Sequence, residues 1–119
     1  MFDNRTIIHK TKYIIKQKNA YNINVAMINK KINQIRKKLD KLDVKMLLII
    51  KKRSVLVNKI LKEKKYKKQI VDNKRIKLIL KKIKNESIKK KIDPKITNNI
   101  WKAMIRSFIN YEFRNFNKK

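Results

Sequence analysis

The chain has 119 residues, a formal net charge of +28, no Cys, no Gly, one Pro and one His. Without Cys there are no disulfides, thiolate nucleophiles or zinc–thiolate sites, and a single His, His9, makes neither a His-based metal site nor a Ser–His triad. Without Gly there is no backbone cradle for phosphates of the P-loop or dinucleotide type, and tight hairpins lose their usual turn residues, so a chain rich in Lys, Ile, Leu and Asn reads as all-α.

Residues 1–26 are basic and weakly patterned. Tyr13, Ile14 and Ile15 form an apolar patch sufficient for one helical turn or two, and the segment reads as a flexible, non-catalytic extension. No apolar core of a secretory signal is visible, and the longest apolar run, Met46 to Ile50, is far shorter than a membrane span. The expectation is a soluble cytoplasmic protein without membrane association.

The helical domain is expected over residues 27–116. Ile28, Ile32, Ile35, Leu39, Leu42, Met46, Ile49, Leu56 and Ile60 alternate in steps of four and three, and Arg53 fills the place between Ile49 and Leu56. This is a heptad-like stripe on one helix face, expected over residues 28–64. Such a helix is roughly 55 Å long, whereas a domain of this size has a radius of gyration of about 13 to 14 Å. Its stripe therefore needs a second copy, and a homodimer follows from the pattern alone. After a polar link at residues 65–71, Asp72 is an N-cap candidate for a second helix over 73–87, with Ile76, Ile79, Leu80 and Ile83 as its apolar face. Asp93-Pro94 then starts a third helix over 94–115, with Ile100, Trp101, Met104, Ile105, Phe108 and Tyr111 inward.

Three charges interrupt these apolar faces: Arg53 on the stripe, Lys64 one turn beyond Ile60, and Glu112 after Trp101, Ile105 and Phe108. An unpaired buried charge is costly, so each needs a counter-charge from the protein or from a ligand. The plain alternatives are an ion pair of Arg53 with Asp40 or Asp43, a snorkelling Lys64, and a salt bridge between Glu112 and a nearby Lys. Taken together, cations and a carboxyl group in one apolar lining point to a small polyanionic ligand. Only six of the basic residues are Arg, and Arg alone offers a planar fork for carboxylates.

The motifs in order resemble the all-helical chorismate mutases. Ile35-Arg36-Lys37-Lys38-Leu39-Asp40-Lys41-Leu42-Asp43 is similar to the opening of that family. Lys52-Arg53-Ser54 falls at its second Arg, Lys64 at its catalytic Lys, and Asp72-Asn73-Lys74-Arg75 at its Asp-x-x-Arg. Ile92-Asp93-Pro94 and Ile100 to Ile105 resemble its third helix, and Glu112 stands where members carry Gln or Glu. Two positions depart: Ile76 replaces the Glu usual after the Arg of the second helix, and Phe108 replaces a small hydroxyl residue. The first removes a hydrogen bond to a substrate hydroxyl, and the second tightens the pocket.

The resemblance implies three helices per protomer, one long and two shorter, in an intertwined homodimer with shared active sites. It implies isomerisation of the dicarboxylate chorismate to prephenate in phenylalanine and tyrosine biosynthesis, without metal or cofactor. In that reading Arg53 binds one substrate carboxylate, and Arg36 of the second protomer binds the other. Lys64 and Glu112 flank the ether oxygen as hydrogen-bond donors, and Arg75 and Asp72 complete the polar wall. The alternative is a basic helical RNA-binding or ribosome-associated protein, supported by the charge and by Lys runs at 64–68 and 89–91. A chorismate-mutase-like fold kept as an interaction module is a third reading. The Lys, Ile and Asn richness also fits coding bias, in which case no specific nucleic acid is a partner.

Overall fold

The structure is a computed structural model and describes residues 4–117. It contains three α-helices, α1 (Asn4–Glu63), α2 (Asn73–Lys89) and α3 (Pro94–Asn115), with a short 3-10 turn at Lys67–Gln69 between the first two. The all-α class and the three helices, one long and two shorter, stand as expected. The second and third helices fall within two residues of their expected bounds.

The first helix differs at its start. It begins at Asn4, and not near residue 28, so the segment expected to hold a turn or two of helix is helical throughout its described part. No Gly or Pro interrupts it. The four-three spacing also runs on toward the N-terminus through Ile7, Ile14, Tyr21 and Val25, with Thr11 and Lys18 at the two polar places. Those two polar substitutions, with the many lysines between, hid the period.

The chain divides into two compact units, at Leu48 and Ile49. The described part of the first, residues 4–48, is a stretch of α1 alone, and every residue in it is exposed. Ile28, Ile35, Leu39, Leu42 and Met46 each keep half or more of their surface in water.

The second unit holds the end of α1 with α2 and α3. Here the apolar places of the stripe, Ile49, Leu56 and Ile60, remain exposed, while Arg53 on the same stripe is half-buried. The inward face is the adjacent one, with Val57 and Asn58 half-buried and Leu61 buried. Asn58 Oδ1 accepts a 2.8 Å hydrogen bond from the Tyr111 hydroxyl of α3. The α2 face is as read from the spacing, with Ile76, Ile79, Leu80 and Ile83 all half-buried. On α3, Trp101, Met104, Ile105, Phe108 and Tyr111 turn inward, whereas Ile100 is exposed, contrary to expectation.

The helix ends explain why α2 and α3 meet as a hairpin. Asp72 caps α2, its Oδ1 accepting from the Arg75 amide at 3.0 Å. Asp93 caps α3 by accepting from the Lys95 amide at 2.9 Å, with Pro94 at the first helical position, where its missing N–H is no loss. Between them α2 closes in a Schellman motif. The Ile92 amide donates to Ser87 O at 2.9 Å and the Lys91 amide to Ile88 O at 3.2 Å. Lys91 takes the left-handed position, at φ 57°, that other chains give to Gly. Ser87 and Thr97, both buried, then bond hydroxyl to hydroxyl across the two helices at 2.7 Å.

Candidate active site

Five of the six residues singled out by the sequence come together in the second unit. Arg53, Lys64, Asp72, Arg75 and Glu112 line one cavity of about 400 Å³, a size within the small-molecule range of roughly 300–1,000 Å³. Gln69 adds a sixth polar residue to the wall. Its Oε1 accepts from the Lys65 and Tyr66 amides at 2.7 and 2.9 Å and so fixes the turn after α1. Nothing in the spacing marked it, because it lies in a polar link. The rest of the lining is apolar and includes Val57, Ile76, Ile79, Ile105 and Phe108. The sixth residue, Arg36, lies in the first unit, where it is exposed.

Each polar group has a stated origin. Arg53 is carried by the last turns of α1 on the side facing α3. Its Nε is buried and donates to no partner. Its Cζ lies 5.7 Å from the centre of the Phe108 ring, close enough for a cation–π contact. The expected alternative, an ion pair with Asp40 or Asp43, is not seen: among the described residues Arg53 makes no salt bridge.

Lys64 and Glu112 meet. Lys64 Nζ donates to Glu112 Oε1 at 2.8 Å, and their side chains are only 18% and 8% exposed. The lysine therefore does not snorkel to water. The pair joins the end of α1 to α3 across the cavity wall. A buried pair of this kind is weak evidence for stability, because desolvating two charges offsets most of their attraction. Arg75 stands in the first turn of α2, and Asp72 spends one oxygen on capping that turn. Ile76 and Phe108, the two departures from the motif pattern, are both in the lining, so the departures touch the site itself.

A second, more open cavity of about 680 Å³ adjoins this wall. It shares Arg53 and Arg75 and adds Lys81, Lys82 and Lys89 with Trp101. Arg53 and Arg75 thus belong to the linings of two hollows, each of which also holds at least one lysine, apolar side chains and at least one carboxylate.

The sequence model of the chorismate mutase type II family matches residues 35–113. The chain belongs to this family. The match spans all of α2, nearly all of α3 and the second half of α1, and it contains every residue assigned to the site. No individual curated protein and no solved structure matches the chain. As a chorismate mutase the protein is an isomerase that converts chorismate to prephenate. The family match favours this activity over the RNA-binding alternative. Among the described residues no helix is long and apolar enough to cross a membrane.

Proposed function

We propose that the cavity lined by Arg53, Lys64, Arg75 and Glu112 is the site of the rearrangement, completed by Arg36 from a second copy of the chain. The observation that carries this reading is the convergence of those side chains, from three helices, on one mostly apolar hollow. The reaction is unimolecular and pericyclic. It needs no nucleophile, and the protein's task is to hold the dicarboxylate in its compact shape and to stabilise charge developing on the ether oxygen.

Arg53, half-buried and without a protein counter-charge, grips one carboxylate through its planar fork. Lys64 donates to the ether oxygen. Glu112 accepts from Lys64 and so holds that ammonium toward the ether oxygen. Asp72 holds Arg75 at the mouth of α2 by capping that helix. Arg36 reaches the second carboxylate across a homodimer seam formed by the exposed stripe of α1. The protein serves phenylalanine and tyrosine biosynthesis in the cytoplasm, and its positive charge is not a nucleic-acid footprint.

Arg53→Lys tests the site. It keeps the charge and loses the fork, and efficiency should fall by about 30- to 1,000-fold, equivalent to roughly 2 to 4 kcal/mol, with the fold intact. Arg36→Ala and Arg53→Ala should each be inactive alone and regain activity when mixed and allowed to exchange subunits. Wild-type efficiency in Arg53→Lys removes Arg53 from the site. Absence of recovery after verified exchange removes the shared site.

A further inference from the structure

We propose that Phe108 is the positioning residue of Arg53, its ring face fixing the guanidinium so that the fork's edge is left for a substrate carboxylate. The inference rests on the assignment of Arg53 to carboxylate binding.

Arg53 Cζ and the Phe108 ring centre are 5.7 Å apart. The ring attracts a cation through its electron-rich face, yet accepts none of the five N–H donors in the way an oxygen would. The donors stay available. Nothing else among the described residues holds the group: Glu112 is engaged by Lys64, Glu86 by Lys89 and Lys90, and Arg53 Nε bonds to nothing. A guanidinium held by hydrogen bonds to a hydroxyl or carboxylate would have part of its fork occupied before substrate arrives. Held by a ring, it is oriented and unsatisfied together. Phe108 is half-buried on α3, and Ile105 and Ile109 line the same hollow.

The test compares Phe108→Leu and Phe108→Tyr, each made in the wild-type chain and in Arg53→Gln. Leu keeps the apolar volume and removes the ring face. It should lower kcat/KM by about 5- to 30-fold, mainly through KM. Tyr restores the face and should stay within about twofold of wild type. In the Arg53→Gln background, which has no cation to position, the Leu change should shrink to less than about threefold. An equal loss from Leu in both backgrounds, a Tyr variant as impaired as Leu, or no loss from Leu while Arg53→Gln is impaired would each overturn the proposal. Wild-type efficiency in Arg53→Gln would overturn the site assignment beneath it.

Discussion

The two units of this chain use the same helix in opposite ways. In residues 4–48 every residue of α1 is exposed, and its apolar stripe lies in water from Ile7 to Met46. In the second unit α1 turns an adjacent face to α3, burying Leu61 and pairing Lys64 with Glu112, while the stripe residues Ile49, Leu56 and Ile60 stay uncovered. In the second unit the adjacent face serves the protomer, and in both units the apolar places of the stripe are left over. A soluble chain rarely leaves so long a row of Ile and Leu exposed unless another surface covers it. The contrast fits the site proposed for the second unit and the second copy proposed for the stripe. A compact core is nearly absent even there: Leu61 and Ile70 are the buried apolar residues described.

The contrast breaks most sharply at Leu42. If the stripe of the first unit is only solvated surface, Leu42→Glu changes nothing. If a second copy covers it, each dimer takes two carboxylates into an apolar seam. The expected outcome is dissociation and loss of activity, with the dimer weakened by at least about 3 kcal/mol, more than 100-fold in its dissociation constant. Light scattering and a prephenate assay check it. A variant with dimer mass and full activity would leave the stripe without a role.

A smaller effect separates two uses of the Lys64–Glu112 pair in the second unit. Glu112→Gln keeps the shape and supplies an amide donor that does not titrate. If the site needs a second donor at the ether oxygen, the variant should exceed wild type by about tenfold in kcat/KM. If Glu112 serves only to neutralise Lys64, the variant should be weaker at every pH. Profiles of kcat/KM for both proteins decide between them.

Much of this was legible in the sequence. Asp72 and Asp93-Pro94 announced the starts of α2 and α3, because capping is local chemistry that depends on a few adjacent residues. Arg53, Lys64 and Glu112 were visible as charges on apolar faces, since three- and four-residue spacing fixes which side chains share a face. Two things were hidden. The start of α1 was obscured because Thr11 and Lys18 interrupt the period that Ile7, Ile14, Tyr21 and Val25 continue. The packing face of α1 was hidden because Val57, half-buried, and Leu61, buried, lie beside the conspicuous stripe and not on it. Periodicity and length marked the stripe for a second copy, but neither identified the face that the chain itself covers. The hold of Phe108 on Arg53 was hidden for a similar reason. The residues are far apart in sequence, and their meeting is a tertiary fact.

The smallest expected effect concerns Glu86, an acidic group among lysines on the exposed face of α2. Its Oε2 accepts from Lys90 Nζ at 2.9 Å, and its Oε1 lies 3.7 Å from Lys89 Nζ. The hydrogen bond and charge of Lys90, helped by the charges of Lys89 and Lys82, hold its carboxyl below the ordinary Glu value near 4.5. A carboxyl group whose value is lowered on folding binds fewer protons folded than unfolded. Its contribution to stability is therefore complete above the ordinary value and is lost as the pH falls through the lowered one. Glu86→Gln should be slightly less stable than wild type at pH 7. The gap should close below about pH 4.5 and shrink in high salt, because surface pairs are screened. Urea midpoints of the two proteins measured side by side at each pH read this difference, since the other carboxylates are common to both and cancel. A gap that widens in acid would mean that Glu86 acts through packing on α2 and not through its charge.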